Sequence, residues 1–103
     1  MVRMMRTKRV KTSRFDVADY LSTAEDRAAY LEACAEEAPG DVAFLAKALG
    51  DVARARGMTR VAREAGVTRE SLYRSLSADG NPGLETVLRV AKSLGVRLAF
   101  KAA

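Results

Sequence analysis

The stretch VAREAGVTRESLYRSLS, from Val61 to Ser77, decides the fold. It alternates small apolar residues with arginines, breaks at Gly66 and then resumes helical spacing. A single amphipathic helix needs no such break, whereas two short helices that meet at a fixed angle do. Glycine at the break permits a positive φ because it has no β-carbon. The stretch therefore predicts a helix-turn-helix unit, whose second helix enters the major groove of DNA.

The apolar positions of this stretch fit the same unit. Ala62 falls where the two helices must lie closest, so a small side chain is required there. Thr59 and Thr68 stand at the predicted N-caps of the two helices, which we place at about residues 59–65 and 68–76. The residues predicted to face the core are Val61, Ala65, Val67, Leu72 and Leu76.

The outward positions of the second helix carry hydrogen-bonding side chains. Arg69 and Arg74 can each donate two hydrogen bonds to the edge of a guanine. Glu70 can accept from a cytosine amino group or orient one of these arginines, and Tyr73 can contact a thymine methyl group or a phosphate. The predicted DNA-reading face comprises Thr68, Arg69, Glu70, Tyr73, Arg74 and Ser77.

The preceding helix is predicted to hold the DNA backbone. Thr59, Arg60 and Arg63 are placed to bind phosphates, and the amides at both helix starts can assist them. A row of arginines can also be an ordinary solvated face. However, six arginines fall between residues 54 and 74 against two glutamates, and they coincide with the alanine, glycine and threonine positions above. This coincidence favours DNA binding.

A longer helix is predicted well before this unit, from about residue 23 to residue 38. Ser22 and Glu25 have the spacing of a capping box, in which each side chain accepts from the other residue's amide. Pro39 ends the helix. Its predicted inner stripe is Ala28, Leu31, Ala35 and Ala38.

Two more helices flank the unit directly. One runs from its predicted cap, Asp41, to about residue 56, with Gly50 either permitting a close helix approach or simply tolerated. The other spans about residues 84–94. The residues predicted to face inward on these two helices are Val42, Leu45, Ala46, Leu49, Val52, Leu84, Val87, Leu88, Ala91 and Leu94.

The stretch VRLAFK, residues 96–101, alternates apolar and basic or small residues with a period of two. This period predicts a short C-terminal β-strand. A lone strand in an otherwise helical domain has no internal partner. Pairing with the same strand of a second chain would satisfy its edges, so we expect a homodimer.

The charge of the chain is strongly segregated, although its net value is only +5. Residues 1–14 hold six basic residues and no acid, and they predict a flexible basic arm, either a disordered tail or a contact for DNA phosphates or an acidic partner. Residues 15–50 carry a net charge of −6, and residues 51–103 carry +5. Residues 15–103 are expected to form a single domain.

Composition argues against catalysis. The chain has no histidine and one cysteine, Cys34, so neither a nitrogen- or thiolate-rich metal site nor a histidine relay can be assembled. We therefore expect no enzyme activity, no metal and no cofactor. Cys34 is expected to be a small buried apolar group in a reducing, cytoplasmic setting. No secretory signal or apolar run near 18 residues stands out.

Two stretches carry a resemblance to a known family. They are FDVADYL, residues 15–21, and ALGDVARARGMTRVAREAGVTRESLYRSLSADGNPGLETVLRVAKSLGVRL, residues 48–98. Together they resemble the probable addiction-module antidote proteins, which are antitoxins of type II toxin–antitoxin pairs. The resemblance implies an all-α, five-helix Cro/lambda-repressor-like helix-turn-helix domain with an N-terminal helical extension and the short C-terminal strand.

The resemblance also implies partners. They would be a small RelE/ParE-like toxin, encoded beside the antitoxin, and palindromic double-stranded operator DNA bound by a dimer. Because such toxins tend to be basic, the acidic helix is expected to help hold the toxin, unless its acids form an ordinary solvated face. A stand-alone transcriptional regulator and a pure protein-interaction module remain alternatives. The residues expected to contact the toxin are Phe15, Tyr20, Glu32, Glu36 and Glu37.

Overall fold

A computed structural model describes residues 21–103, and helices dominate this part of the chain. The five helices of this range are α1 (Ala24–Glu37), α2 (Val42–Arg56), α3 (Met58–Ala65), α4 (Arg69–Ser75) and α5 (Leu84–Ser93). The predicted all-α class and the five helices are therefore confirmed. The basic arm predicted at residues 1–14 lies outside the described residues. No described helix is long and apolar enough to cross a membrane.

Helix α3 is the centre of the packing. It contacts α2, α4 and α5, while α1 packs against α2. As predicted, Val61, Ala65, Leu72 and Leu76 are buried, and Val67 is partly buried against them. The largest side chains that are fully buried are Leu72, Leu76, Leu94, Val52, Val61 and Val90.

Two of the predicted helix caps are confirmed. Asp41 Oδ1 accepts a hydrogen bond from the amide of Phe44 at 3.0 Å, at the start of α2. Thr68 Oγ1 accepts from the amide of Ser71 at 3.0 Å, at the start of α4. Each bond satisfies an amide that has no partner inside its own helix, and such a cap typically stabilises a helix by about 1 kcal/mol.

Two other predicted caps are wrong. Helix α1 starts one residue later than the capping box at Ser22 requires, and Thr23 Oγ1 accepts from the amide of Asp26 at 3.0 Å instead. Thr59 does not cap α3, because a single residue, Gly57, both ends α2 and precedes α3. Because only one residue separates the two helices, Thr59 lies inside the first turn of α3.

The predicted inner stripe of α1 is wrong in part. Leu31 is partly buried against the core, as predicted, but Ala28 and Ala35 are exposed, and the buried residues of this helix are Arg27 and Cys34. An alanine side chain gains little free energy on burial, so alanine spacing alone does not fix the rotation of a helix. The burial of Cys34 was predicted and is confirmed.

The predicted inner stripes of α5 and α2 are also wrong in part. Leu84 and Leu88 are 66% and 47% exposed, while Val90 and Ser93 of α5 are buried. Val42, at the start of α2, is 55% exposed. The predicted Ala91 and Leu94 are buried, but the side of α5 that contacts α3 is turned away from Leu84 and Leu88.

The predicted C-terminal strand is not present in the described chain. The residues that follow Gly95 form no helix and no ladder. A strand requires a neighbouring strand to accept and donate its backbone hydrogen bonds, and residues 21–103 supply none.

A buried arginine links α1 to the end of α5. Arg27 Nε donates to the carbonyl oxygen of Leu94 at 2.7 Å, and its NH1 donates to the carbonyl oxygen of Leu21 at 3.0 Å. Burial lowers the pKa of the Arg27 guanidinium, with a further contribution from nearby arginines. The carbonyls at a helix C-terminus have no partners within the helix, so this cation completes the end of α5.

Two further arginines bond to the ends of helices other than their own. Arg56 Nε, at the end of α2, donates to the carbonyl oxygen of Ser93 at 3.3 Å. Arg89 NH1, on α5, donates to the carbonyl oxygen of Ala65 at 3.4 Å. Cations are favourable at the negative end of the helix dipole, so these contacts hold α2 against α5 and α5 against α3.

Gly50 lets α2 approach the end of α4. A β-carbon at this position would overlap the backbone carbonyl oxygen of Leu76. A backbone atom cannot move aside as a flexible side chain can, so the close approach requires glycine. The first of the two alternatives for this glycine, a close helix approach, is the one that the structure supports.

Replacement of Gly50 by alanine is expected to destabilise the protein. In an ordinary helix interior this change stabilises by about 1 kcal/mol. Here the overlap with the Leu76 carbonyl is expected to cost about 1–3 kcal/mol of unfolding free energy instead. Urea denaturation followed by circular dichroism measures the difference. Gly83→Ala, where an added β-carbon meets nothing within 4 Å, is the control and should cost less.

Candidate nucleic-acid interface

A left-handed glycine separates α3 from α4. Gly66 has φ 74° and ψ 30°, and its amide donates to the carbonyl oxygen of Arg63 at 3.2 Å. The amide of Val67 donates to the carbonyl oxygen of Ala62 at 3.0 Å. These two bonds form a Schellman ending, which reverses the chain within one residue. Helix α3 therefore stops at this glycine, and the chain does not continue through it as one straight helix.

Helix α4 presents its polar residues to solvent. Leu72 is fully buried beneath it. Arg69, Glu70, Tyr73 and Arg74 are exposed, as the sequence predicted for the face opposite Leu72. These four of the six residues of the predicted DNA-reading face therefore share one accessible surface, and none of the four side chains is committed to the core.

Arg69 is held by contacts from two helices. Its NH1 donates to Thr59 Oγ1 of α3 at 3.3 Å, and its NH2 donates to the Tyr73 hydroxyl at 3.4 Å. The guanidinium carbon also lies 5.4 Å from the centre of the Tyr73 ring. The hydrogen bond that Arg69 donates to the Tyr73 hydroxyl raises the pKa of Arg69.

These contacts restrict an arginine whose side chain is otherwise exposed. A free arginine side chain carries about 2 kcal/mol of rotamer entropy, which is lost when it binds. Because contacts with Thr59 and Tyr73 restrict the Arg69 side chain before it binds a partner, less rotamer entropy is lost on binding. Thr59 and Tyr73 therefore act as positioning residues for Arg69, a role that sequence spacing did not indicate because Thr59 lies ten positions away across the turn.

Some of the predicted DNA-reading residues make other contacts. The Thr68 hydroxyl oxygen accepts the capping bond from Ser71, as described above. Ser77 Oγ donates to the carbonyl oxygen of Arg74 at 3.0 Å, beyond the end of α4. Glu70 forms no ion pair with any residue of the described range, so orientation of an arginine by Glu70 is not part of this geometry.

The two arginines of α3 that were predicted to bind phosphate, Arg60 and Arg63, have different surroundings. Arg63 is exposed and lies in the last turn of α3, beside the Gly66 ending. Arg60 Nε instead donates to Glu64 Oε2 at 3.2 Å, and Ser93 Oγ of α5 donates to Glu64 Oε1 at 2.6 Å. The Ser93 bond and Arg60 both lower the pKa of Glu64. Arg60 therefore belongs to a network that reaches toward α5.

The acidic residues of α1 form an exposed face. Glu32, Glu36 and Glu37 are all accessible. Lys101 Nζ lies 3.3 Å from Glu32 Oε2 and 3.6 Å from Glu36 Oε2, so one cation of the chain partly neutralises this face. The described residues do not include the remaining two predicted toxin contacts, Phe15 and Tyr20.

Comparison with known proteins places the chain in a family. A family model described as probable addiction module antidote protein matches residues 11–102. The chain belongs to this family. An uncharacterized protein of Haemophilus influenzae is 43% identical over 83 residues, which cover 81% of this chain and 84% of that relative. No solved structure matches this chain. The family assignment expected from residues 15–21 and 48–98 is confirmed.

Removal of the Thr59 hydroxyl is expected to increase the mobility of the Arg69 side chain. Thr59→Val keeps the shape of the side chain but removes the acceptor for Arg69 NH1. The order parameter of the Arg69 Nε–H bond, measured by ¹⁵N relaxation, should fall toward the value of a flexible side chain. The Nε–H of exposed Arg63 serves as the internal control and should not change. An unchanged value for Arg69 would show that Thr59 does not position it.

Proposed function

We propose that the protein is the antitoxin of a type II toxin–antitoxin module. It binds and neutralises a small basic RelE/ParE-like toxin, and it represses its own operon by binding operator DNA as a homodimer through a helix-turn-helix. Membership of the antidote family supports the antitoxin role. The observation that carries the DNA-binding role is the exposed α4 face, on which Arg69 is held in place by Thr59 and Tyr73.

The arginines of the α4 face have the chemistry to read DNA. α4 enters the major groove, where Arg69 and Arg74 donate to guanine edges. Arg63 binds backbone phosphate, which adds affinity without sequence preference. The mechanism requires no covalent chemistry, because an antitoxin bound over its own promoter excludes polymerase. The homodimer would place two α4 helices on the two halves of a palindromic operator, about 34 Å apart.

The acidic face of α1 has the charge to hold a basic toxin. Glu32, Glu36 and Glu37 are all exposed on α1. Lys101 forms ion pairs with Glu32 and Glu36, whereas Glu37 forms none with any described residue. Opposite charges on two partners steer their association and fix their register. Neutralisation would then follow from occlusion of the toxin's working surface, and the bound toxin would act as co-repressor.

A regulator without a toxin is the second candidate. The α4 face and its Arg69 contacts would serve such a protein equally well, because nothing in them requires a toxin. Co-expression with the neighbouring open reading frame separates the two candidates. Rescue of growth from a toxic neighbour supports the antitoxin, and a neighbour that is harmless alone supports the regulator.

Loss of a base-reading arginine is expected to differ from loss of a phosphate contact. Arg69→Ala should weaken binding to the DNA upstream of the gene by about 1–3 kcal/mol, roughly 5-fold to 150-fold, with little effect on a scrambled duplex. Arg63→Ala should weaken both duplexes alike and lower the salt slope by about 1. Fluorescence anisotropy at several salt concentrations measures both effects. Lys47→Ala, an exposed cation of α2, is the control.

Reversal of the α1 charges is expected to weaken toxin binding. In the variant Glu36→Lys with Glu37→Lys, a basic toxin would meet like charges, and it should no longer co-purify with the tagged antitoxin at moderate salt. Asp79→Lys with Glu85→Lys makes the same charge change away from α1 and should leave co-purification intact. Undiminished co-purification and growth rescue by the α1 variant would remove this face from the proposal.

A further inference from the structure

A basic pocket lies where the C-terminal ends of α2 and α5 come beside α3. Its volume is about 420 Å³, which is within the range of pockets that bind small molecules. Four of its lining side chains are cations and one is a carboxylate, so its wall is positively charged. The lining side chains are Arg56, Arg60, Glu64, Arg89, Lys92 and Ser93.

Two arginines of this pocket keep most of their hydrogen-bond donors available. A guanidinium group has five N–H donors. Among the described residues, Arg56 uses its Nε on the carbonyl oxygen of Ser93, and Arg60 uses its Nε on Glu64. The terminal nitrogens of both guanidinium groups are therefore open to a further acceptor.

The two cations from α5 add to this positive wall. Arg89 donates to the carbonyl oxygen of Ala65 at 3.4 Å and to Glu85 Oε2 at 2.6 Å, so Glu85 neutralises part of its charge. Lys92 is exposed and forms no ion pair with any residue from 21 to 103. Even with Glu85 included, four cations face only two carboxylates.

A carboxylate already shows which group this wall accepts. Ser93 Oγ donates to Glu64 Oε1 at 2.6 Å, and Arg60 Nε donates to Glu64 Oε2 at 3.2 Å. The two bonds hold the pKa of Glu64 below its usual range. The donors around the pocket are thus arranged to bind oxygen anions.

The cations at this end of α5 also repel one another. The buried Arg27 donates to the carbonyl oxygen of Leu94, next to Ser93. Burial lowers the pKa of Arg27, and the charges of Arg56 and Arg60 lower it further. An anion bound among these cations would relieve the repulsion.

The pocket lies away from the exposed face of α4. No described residue of α4 lines it. On α3, Thr59 contacts Arg69 of α4, whereas the next residue, Arg60, contacts Glu64. Successive residues of a helix point about 100° apart, so α3 presents different sides to the pocket and to Arg69. This placement favours a small anion over the backbone of a duplex bound at α4.

We propose that the pocket binds the phosphate group of a small molecule, either inorganic phosphate or a phosphomonoester. Guanidinium groups bind phosphate oxygens in a bidentate manner, and the ammonium group of Lys92 supplies a further positive charge. The inference goes beyond the proposed function, because it requires neither DNA nor a toxin.

Titration of the full chain with inorganic phosphate, and separately with adenosine monophosphate, tests the site. Amide ¹⁵N–¹H spectra are recorded at constant pH and ionic strength, with sodium chloride as the reference. We expect saturable shifts centred on the amides of Glu64, Ser93 and Gly95. Tighter binding of adenosine monophosphate identifies a phosphomonoester as the ligand, and equal binding identifies inorganic phosphate. Shifts that do not saturate, or that are centred on α4, would overturn the proposal.

Two substitutions should change phosphate binding in opposite directions. Lys92→Gln removes a cation and should raise the dissociation constant about 5-fold to 10-fold. Glu64→Gln removes the competing carboxylate, keeps the shape of the side chain and should lower the dissociation constant. Arg74→Gln, which removes a cation from α4, is the matched control and should leave it unchanged. Absence of either pocket effect would contradict the proposal.

The same variants separate this pocket from a DNA contact. Arg74→Gln should weaken binding to the DNA upstream of the gene, whereas Lys92→Gln should leave that binding nearly unchanged. If Lys92→Gln weakens duplex binding as much as Arg74→Gln does, the pocket belongs to the DNA contact and the inference fails. A chain that binds phosphate at the pocket but binds no duplex would instead refute the proposed DNA-binding role and support the pocket.

Discussion

The unpaired carbonyl groups at helix C-termini are the constraint on which this small domain depends. Short helices leave a large fraction of their backbone groups without internal partners. Arg27 and Arg56 donate to the last carbonyls of α5, and Arg89 donates to the last carbonyl of α3. Each arginine comes from a different helix than the one it completes. The same contacts therefore satisfy the backbone and set how the helices lie against each other.

The position of α4 follows from that framework and from two glycines. Gly66 reverses the chain after α3, and Gly50 allows α2 to come against the Leu76 carbonyl at the far end of α4. Leu72 and Leu76 then fix the buried side of α4 in the core. The outward direction of Arg69 is a consequence of these buried contacts, and Thr59 adds the last restraint.

Local chemistry predicted most of the fold, because caps and left-handed glycines depend on neighbours in the chain. Asp41, Thr68 and Gly66 are examples in which the signal and its partner lie within a few residues. The arginine contacts could not be predicted in this way, since Arg27 and Leu94 are 67 positions apart. The inner stripe of α1 was predicted wrongly at Ala28 and Ala35, because alanine spacing is a weak guide to which side of a helix is buried.

In the candidate site, too, local features were predicted from the sequence and contacts between helices were not. The exposed residues of α4 were predicted from spacing, because Leu72 and Leu76 leave only one outward face. The role of Thr59 and the direction of Arg60 toward Glu64 depend on contacts between helices and were not predicted. Family membership adds the antidote assignment, which no geometry of single side chains could supply.

The separation of α4 into a buried side and an exposed side also bears on how such modules diverge. Arg69, Glu70 and Arg74 contribute nothing to the core, so substitutions there leave the stability of the domain nearly unchanged. Under the proposed DNA-binding function, duplicated copies within one genome would acquire distinct DNA preferences by mutation at these three positions. Cross-talk between paralogues would then decline without any intermediate that fails to fold.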